Sequence, residues 1–147
     1  MEGVEGEIDL MLGKHLSWYE LQCKDGTPYP DKWRNNRAIQ LAEVFEVIRA
    51  RWNKPIKVLS AYRTPVWNKK IGGARNSQHL HGRALDLRPP RNVSVDEFYN
   101  HIKDLAMYIP AIKGIGKYKT FVHVDTRPTE KIAYWFGTGA KDDTKTS

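Results

Sequence analysis

Only one cysteine, Cys23, stands in this chain of 147 residues, so neither an internal disulfide nor a cysteine-rich zinc site is open to it. No apolar run approaches the roughly 18 residues that a bilayer span needs, and no membrane insertion is expected. The opening stretch Met-Glu-Gly-Val-Glu-Gly-Glu-Ile-Asp is acidic and lacks the apolar heart of a secretory signal. Synthesis in the cytoplasm is therefore expected, and any work outside it needs a separate means of release. Internal repeats and low-complexity blocks are also missing. Acidic residues are outnumbered: 17 Asp and Glu face 24 Lys and Arg, a net charge of +7. That sign favours polyanionic surroundings, whether nucleic acid, anionic lipid or bacterial wall polymer. The basic residues are spread along the chain with no nucleic-acid motif beside them, so nucleic acid is not the expected partner.

Aromatic bulk is what the chain does have. Five Trp, seven Tyr and four Phe can fill one core, and the length suits a single domain. The expected organisation is a mobile N-terminal segment at 1–14, a domain at 15–137 and a polar tail at 138–147. Ser17 reads as the cap of a short helix. Apolar residues at three- and four-residue steps predict an amphipathic helix from Trp33 to Trp52, stopped by Asn53-Lys54-Pro55. Ile56–Ser60 alternates as a strand, and Pro65–Ile71 reads as one or two helical turns. Arg83–Leu87 reads as a second strand, halted by Pro89-Pro90. Ser94 with Glu97 forms a capping-box pattern ahead of a second amphipathic helix. Ile112–Tyr118 and Phe121–Asp125 then read as two strands joined by a tight turn. Helices fall mostly early and strands mostly late, which predicts an α+β domain with an antiparallel sheet flanked by helices.

Two segments hold most of the informative polar residues: Ser77–Asp86 and Phe121–Arg127. A two-residue strand period puts Phe121, His123 and Asp125 on one face and Val122 and Val124 on the other. His79 precedes a glycine turn and Asp86 lies on the strand after it, so both can face one cleft. Two imidazoles and one carboxylate leave a fourth position open for water, the plan of a catalytic zinc site. Zinc held there would lower the pKa of its water and polarise a carbonyl. His15 and His101 read as ordinary hydrogen-bonded or surface histidines.

Ser77-x-His79-x-x-Gly82-x-Ala84-x-Asp86 resembles the SxHxxGxAxD motif of the zinc D-Ala-D-Ala carboxypeptidase and L-alanyl-D-glutamate endopeptidase family, peptidase M15, whose fold is shared with the Hedgehog signalling domain. Ser60-Ala61-Tyr62-Arg63 and Asn68-x-x-Ile71-Gly72-Gly73-Ala74 are similar to two further segments of that family. Phe121–Arg127 and the stretch from Leu16 to Thr27 resemble its phage-type branch. The resemblance implies His79, Asp86 and His123 as ligands of Zn²⁺. It implies Arg63 at a substrate carboxylate or a developing oxyanion, and Ser77 at the substrate or steadying the His79 loop. The implied activity is hydrolysis of peptidoglycan stem peptides, with the bacterial cell wall as the place of action and a phage-released or virion-associated origin.

One departure matters. Many members carry an acidic general base three residues before the last ligand histidine, and Thr120 occupies that position here. Asp125 is the expected replacement as catalytic base, with His81 behind it; the competing role for Asp125 is to orient a ligand or Arg127. The gap also leaves open a zinc-containing module that binds wall or protein without hydrolysis.

Overall fold

Side-chain caps set where the helices begin. The computed structural model describes residues 10–137, and the expectations for residues 1–9 and for the tail at 138–147 lie outside the described residues. Helix α1 (Trp18–Leu21) starts on a full capping box between Ser17 and Glu20. Helix α2 (Arg37–Trp52) starts four residues later than the periodicity predicts. Asp31–Trp33 forms a 3₁₀ turn instead, and the Asn36 carboxamide caps the helix by accepting from the Arg37 amide at 2.6 Å. Asn53, in the left-handed conformation at φ 55°, ends it. Thr64 caps α3 (Pro65–Lys70), and Ser94 caps α4 (Val95–Ala106).

Five strands form one sheet: β1 (Lys57–Ser60), β2 (Ala84–Arg88), β3 (Gly114–Lys117), β4 (Val122–Asp125) and β5 (Ala133–Phe136), in the order β1-β2-β4-β3-β5. The expected antiparallel sheet is formed by β1, β2, β4 and β3, and β5 adds one parallel pairing, to β3. The loop after β4 reverses the chain, and β3 already occupies the near edge of β4. The returning strand therefore docks on the outer edge of β3, and the sheet is mixed.

The strand period divides the sheet into two chemistries. Leu85, Leu87, Ile115, Val122 and Val124 are fully buried, in one apolar core with Leu41, Phe45 and Ile48 of α2 and Phe98 and Ile102 of α4. The other face carries polar groups. Cross-strand pairing lines up Ser60, Asp86, His123, Gly116 and Trp135 in a single row across all five strands. A second row runs Ala84, Asp125, Gly114 and Ala133. Glycine is required at two of these positions. A Cβ on Gly116 would lie 2.5 Å from the Trp135 indole, and one on Gly114 would collide with the Asp125 carboxylate.

Candidate metal centre

His79 reaches the polar row from a different direction. It sits in a 3₁₀ turn, Gln78–His81, which Ser77 opens by accepting from the His79 amide at 3.2 Å. Gly82 closes the turn at φ 65° with its carbonyl held by the Tyr29 hydroxyl at 2.7 Å. Tyr29, Trp33, Tyr62 and Trp18 pack edge to face or tilted behind this turn. The turn thus brings His79 back over β2, as the sequence requires if His79 and Asp86 are to share a cleft.

The three expected ligands converge. Asp86 Oδ1 lies 3.0 Å from His79 Nε2 and 3.1 Å from His123 Nδ1, and all three residues are buried. Each outer ring nitrogen is tied down. His79 Nδ1 donates to the Ala61 carbonyl at 2.6 Å, and His123 Nε2 donates to Asp125 Oδ2 at 2.8 Å. A carbonyl and an ionised carboxylate only accept, so the protons of the neutral rings sit on those outer nitrogens. The inner nitrogens then present lone pairs to a carboxylate oxygen, three acceptors facing one another. A cation between them removes that conflict. Donors on a tetrahedral zinc ion at about 2.0–2.1 Å lie roughly 3.3 Å apart, close to the separations found here. The donor set therefore fits Zn²⁺.

In the metal-free protein a proton on an inner nitrogen can take the place of that cation and donate to Asp86, and the shifts of the three groups follow from this. Burial pulls the His79 imidazole below its ordinary value. Burial acts on His123 in that direction too, but its hydrogen bonds to Asp125 and Asp86 outweigh it and hold the ring above 6.5. Burial would raise Asp86, yet the His79 charge and the hydrogen bonds from both imidazoles keep its carboxyl well below the usual range.

Of the remaining candidate residues, Arg63 and Ser77 line the cleft over this core, and His81 does not. Arg63 is not a solvated cation at a strand end. Its side chain is 13% exposed and donates to Asp86 Oδ2 at 3.1 Å, Ser60 Oγ at 3.0 Å and Asn68 Oδ1 at 3.2 Å. Asn68 also donates to the Ala74 carbonyl at 2.9 Å, which ties the Gly72-Gly73 loop to the arginine. Asp125 is clasped by Arg127, whose Nε and Nη2 lie 2.9 and 2.7 Å from its two oxygens, while His123 takes Oδ2 from the other side. With 1% exposure and both oxygens engaged, Asp125 has the surroundings of an orienting group, the second of its two expected roles. His81 is exposed and does not line the cleft over this centre, its carbonyl is bound by Arg37, and Thr120 is exposed in the β3–β4 turn. His15 is paired with Glu46 at 2.8 Å, in keeping with its ordinary reading.

An open cleft of about 460 Å³ lies over the centre, lined by Arg63, Ser77, His79, Asp86 and His123 together with the Ile71–Ala74 loop. Sequence reasoning missed its far wall: Tyr118, Phe121 as a stacking partner, and Trp135. The signal was present in the short aromatic run Tyr134-Trp135-Phe136 and in Gly116, a strand glycine that marks a close approach.

A model of the peptidase M15 family matches residues 14–125, well over half of the chain. Zinc D-Ala-D-Ala carboxypeptidase of Streptomyces albus G is 35% identical over 54 residues, which are 37% of this chain and 21% of that protein. The chain thus aligns with about a fifth of the length of that curated relative. The family match takes in all three converging ligands as well as Arg63 and Ser77, and the chain belongs to the peptidase M15 family.

Proposed function

We propose that this protein is a zinc-dependent peptidase that hydrolyses peptide bonds in peptidoglycan stem peptides, of the D-Ala-D-Ala carboxypeptidase or L-Ala-D-Glu endopeptidase type. The observation that carries this is the meeting of His79 Nε2, Asp86 Oδ1 and His123 Nδ1 at the floor of an open cleft beside Arg63. Zinc held by these three residues supplies Lewis acidity toward a peptide carbonyl and a water ligand of lowered pKa. The chain's own groups do the rest. Ala61 and Asp125 keep the imidazole protons at His79 Nδ1 and His123 Nε2, so both inner nitrogens stay free to ligate. Arg63 holds Asp86 Oδ2, leaving Oδ1 for the metal, and its remaining N–H groups serve a substrate carboxylate or developing oxyanion. Ser77 steadies the His79 turn. Asp125, fixed by Arg127, orients His123. The net charge of +7 suits an anionic wall polymer, and action at the bacterial cell wall after phage release or from a virion belongs to the same proposal.

The experiment is hydrolysis of purified wall and of a defined muropeptide, with products identified by mass. Activity that disappears in chelator and returns with zinc is expected. Full activity in chelator rejects the proposal.

One observation favours a second reading, a zinc module that binds wall peptides without cutting them. Among the described residues, Asp86 is the only carboxylate lining the cleft. Muropeptide binding without any cleavage by the zinc-loaded protein is the outcome that selects it.

A further inference from the structure

The far wall of the cleft is built around one indole. Trp135 lies over Gly116, its ring centroid 5.0 Å from that of His123, and the Arg127 guanidinium stands 5.2 Å above it. Its Nε1–H donates to the Tyr118 hydroxyl at 3.1 Å. The Tyr118 ring is held twice more: it stacks on Phe121 at 4.5 Å with the planes 6° apart, and it packs against Gly137 where no Cβ would fit. Packing alone needs only the ring. The hydroxyl is a separate feature, and its environment is polarised. Trp135 occupies an acceptor site of the oxygen, and no acceptor for the Tyr118 proton is found among the described residues. A phenol whose oxygen accepts from an indole is a stronger donor through its own proton. Tyr118 lines the same cleft as Arg63, His79, Asp86 and His123.

Resting on the peptidase reading above, the geometry points to Tyr118 as a catalytic residue whose hydroxyl donates a hydrogen bond to the carbonyl oxygen of the scissile peptide as negative charge develops there. Arg63 is already engaged by Ser60, Asn68 and Asp86, so a second, pre-positioned donor complements it. Trp135 is the positioning residue for that donor. No proton leaves the phenol: the hydrogen bond strengthens in the transition state and relaxes afterwards.

Tyr118→Phe tests this, because it keeps the stacked ring and removes only the hydroxyl. For the zinc-loaded protein on a soluble stem peptide, kcat should fall on the order of 10²-fold, as for loss of one oxyanion donor. KM and zinc affinity should stay within roughly twofold. A phosphinate analogue of the scissile bond, which mimics the charged intermediate, should bind the variant more weakly by about the same factor as kcat falls. Wild-type kcat in the variant, or equal analogue affinity for both proteins, overturns the role of Tyr118. If the wild-type protein cleaves nothing, the peptidase reading fails on its own and the analogue still decides for Tyr118; an analogue that binds neither protein overturns both.

Discussion

His123 Nε2 lies 2.8 Å from Asp125 Oδ2, two residues further along the same strand. The strand period alone puts these side chains on one face, and the contact turns that adjacency into a fixed ring. Arg127 holds the carboxylate from the other side, so the chain Arg127–Asp125–His123 ends with Nδ1 aimed at Asp86 Oδ1.

Asp125→Ala should therefore weaken zinc binding roughly 10–100-fold, the usual cost of losing the carboxylate behind a ligating histidine. Chelator competition on the purified variant measures it. Unchanged affinity, with only the catalytic rate reduced, would return Asp125 to the role of proton acceptor.

Zinc uptake should depend on pH with a definite sign. In the metal-free protein, burial pulls the His123 imidazole down, but the hydrogen bonds it donates to Asp125 and Asp86 outweigh that and hold it above its ordinary value. A raised value means the ring keeps its proton to higher pH, and that proton competes with the ion. Affinity should rise as pH rises through the His123 titration, and binding below it should release a proton. Calorimetry in buffers of different ionisation enthalpy reads the proton count. Affinity that is flat from about pH 6 to 8 would show that His123 is neutral before the metal arrives.

Gly82→Ala should destabilise the fold by about 1–2 kcal/mol from the left-handed backbone alone. The new Cβ would also stand 2.7 Å from both the Trp33 ring and the Tyr29 hydroxyl. Because this turn carries His79, chemical denaturation should show lower stability and chelator competition a weaker zinc site. A variant as stable as the wild type would mean the turn relaxes freely.

Much of this was legible from residue order. The ligand set could be named from its resemblance to a family motif, and a strand period and a glycine turn made its meeting in one cleft physically reasonable. The capped helices could be named because Ser17 and Ser94 carry their signals locally. What escaped depends on contacts between distant segments. The start of α2 moved because the Asn36 side chain offers a cap that periodicity does not register. The parallel β5 escaped because its pairing is decided by which sheet edge remained open. The buried Lys117, which reaches Asp96 at 2.8 Å beneath Phe136, reads in sequence as one more surface cation. Asp125 could be narrowed to two roles, and the clasp by Arg127 favours one of them.

The most direct measurement is a crystal structure grown with zinc, with the ion located by its anomalous scattering. One ion per chain is expected, at about 2.0–2.2 Å from His79 Nε2, Asp86 Oδ1 and His123 Nδ1, with a remaining position open to the cleft. An ion lodged elsewhere, or these three groups turned away from one another in its presence, would contradict a metal centre at this site.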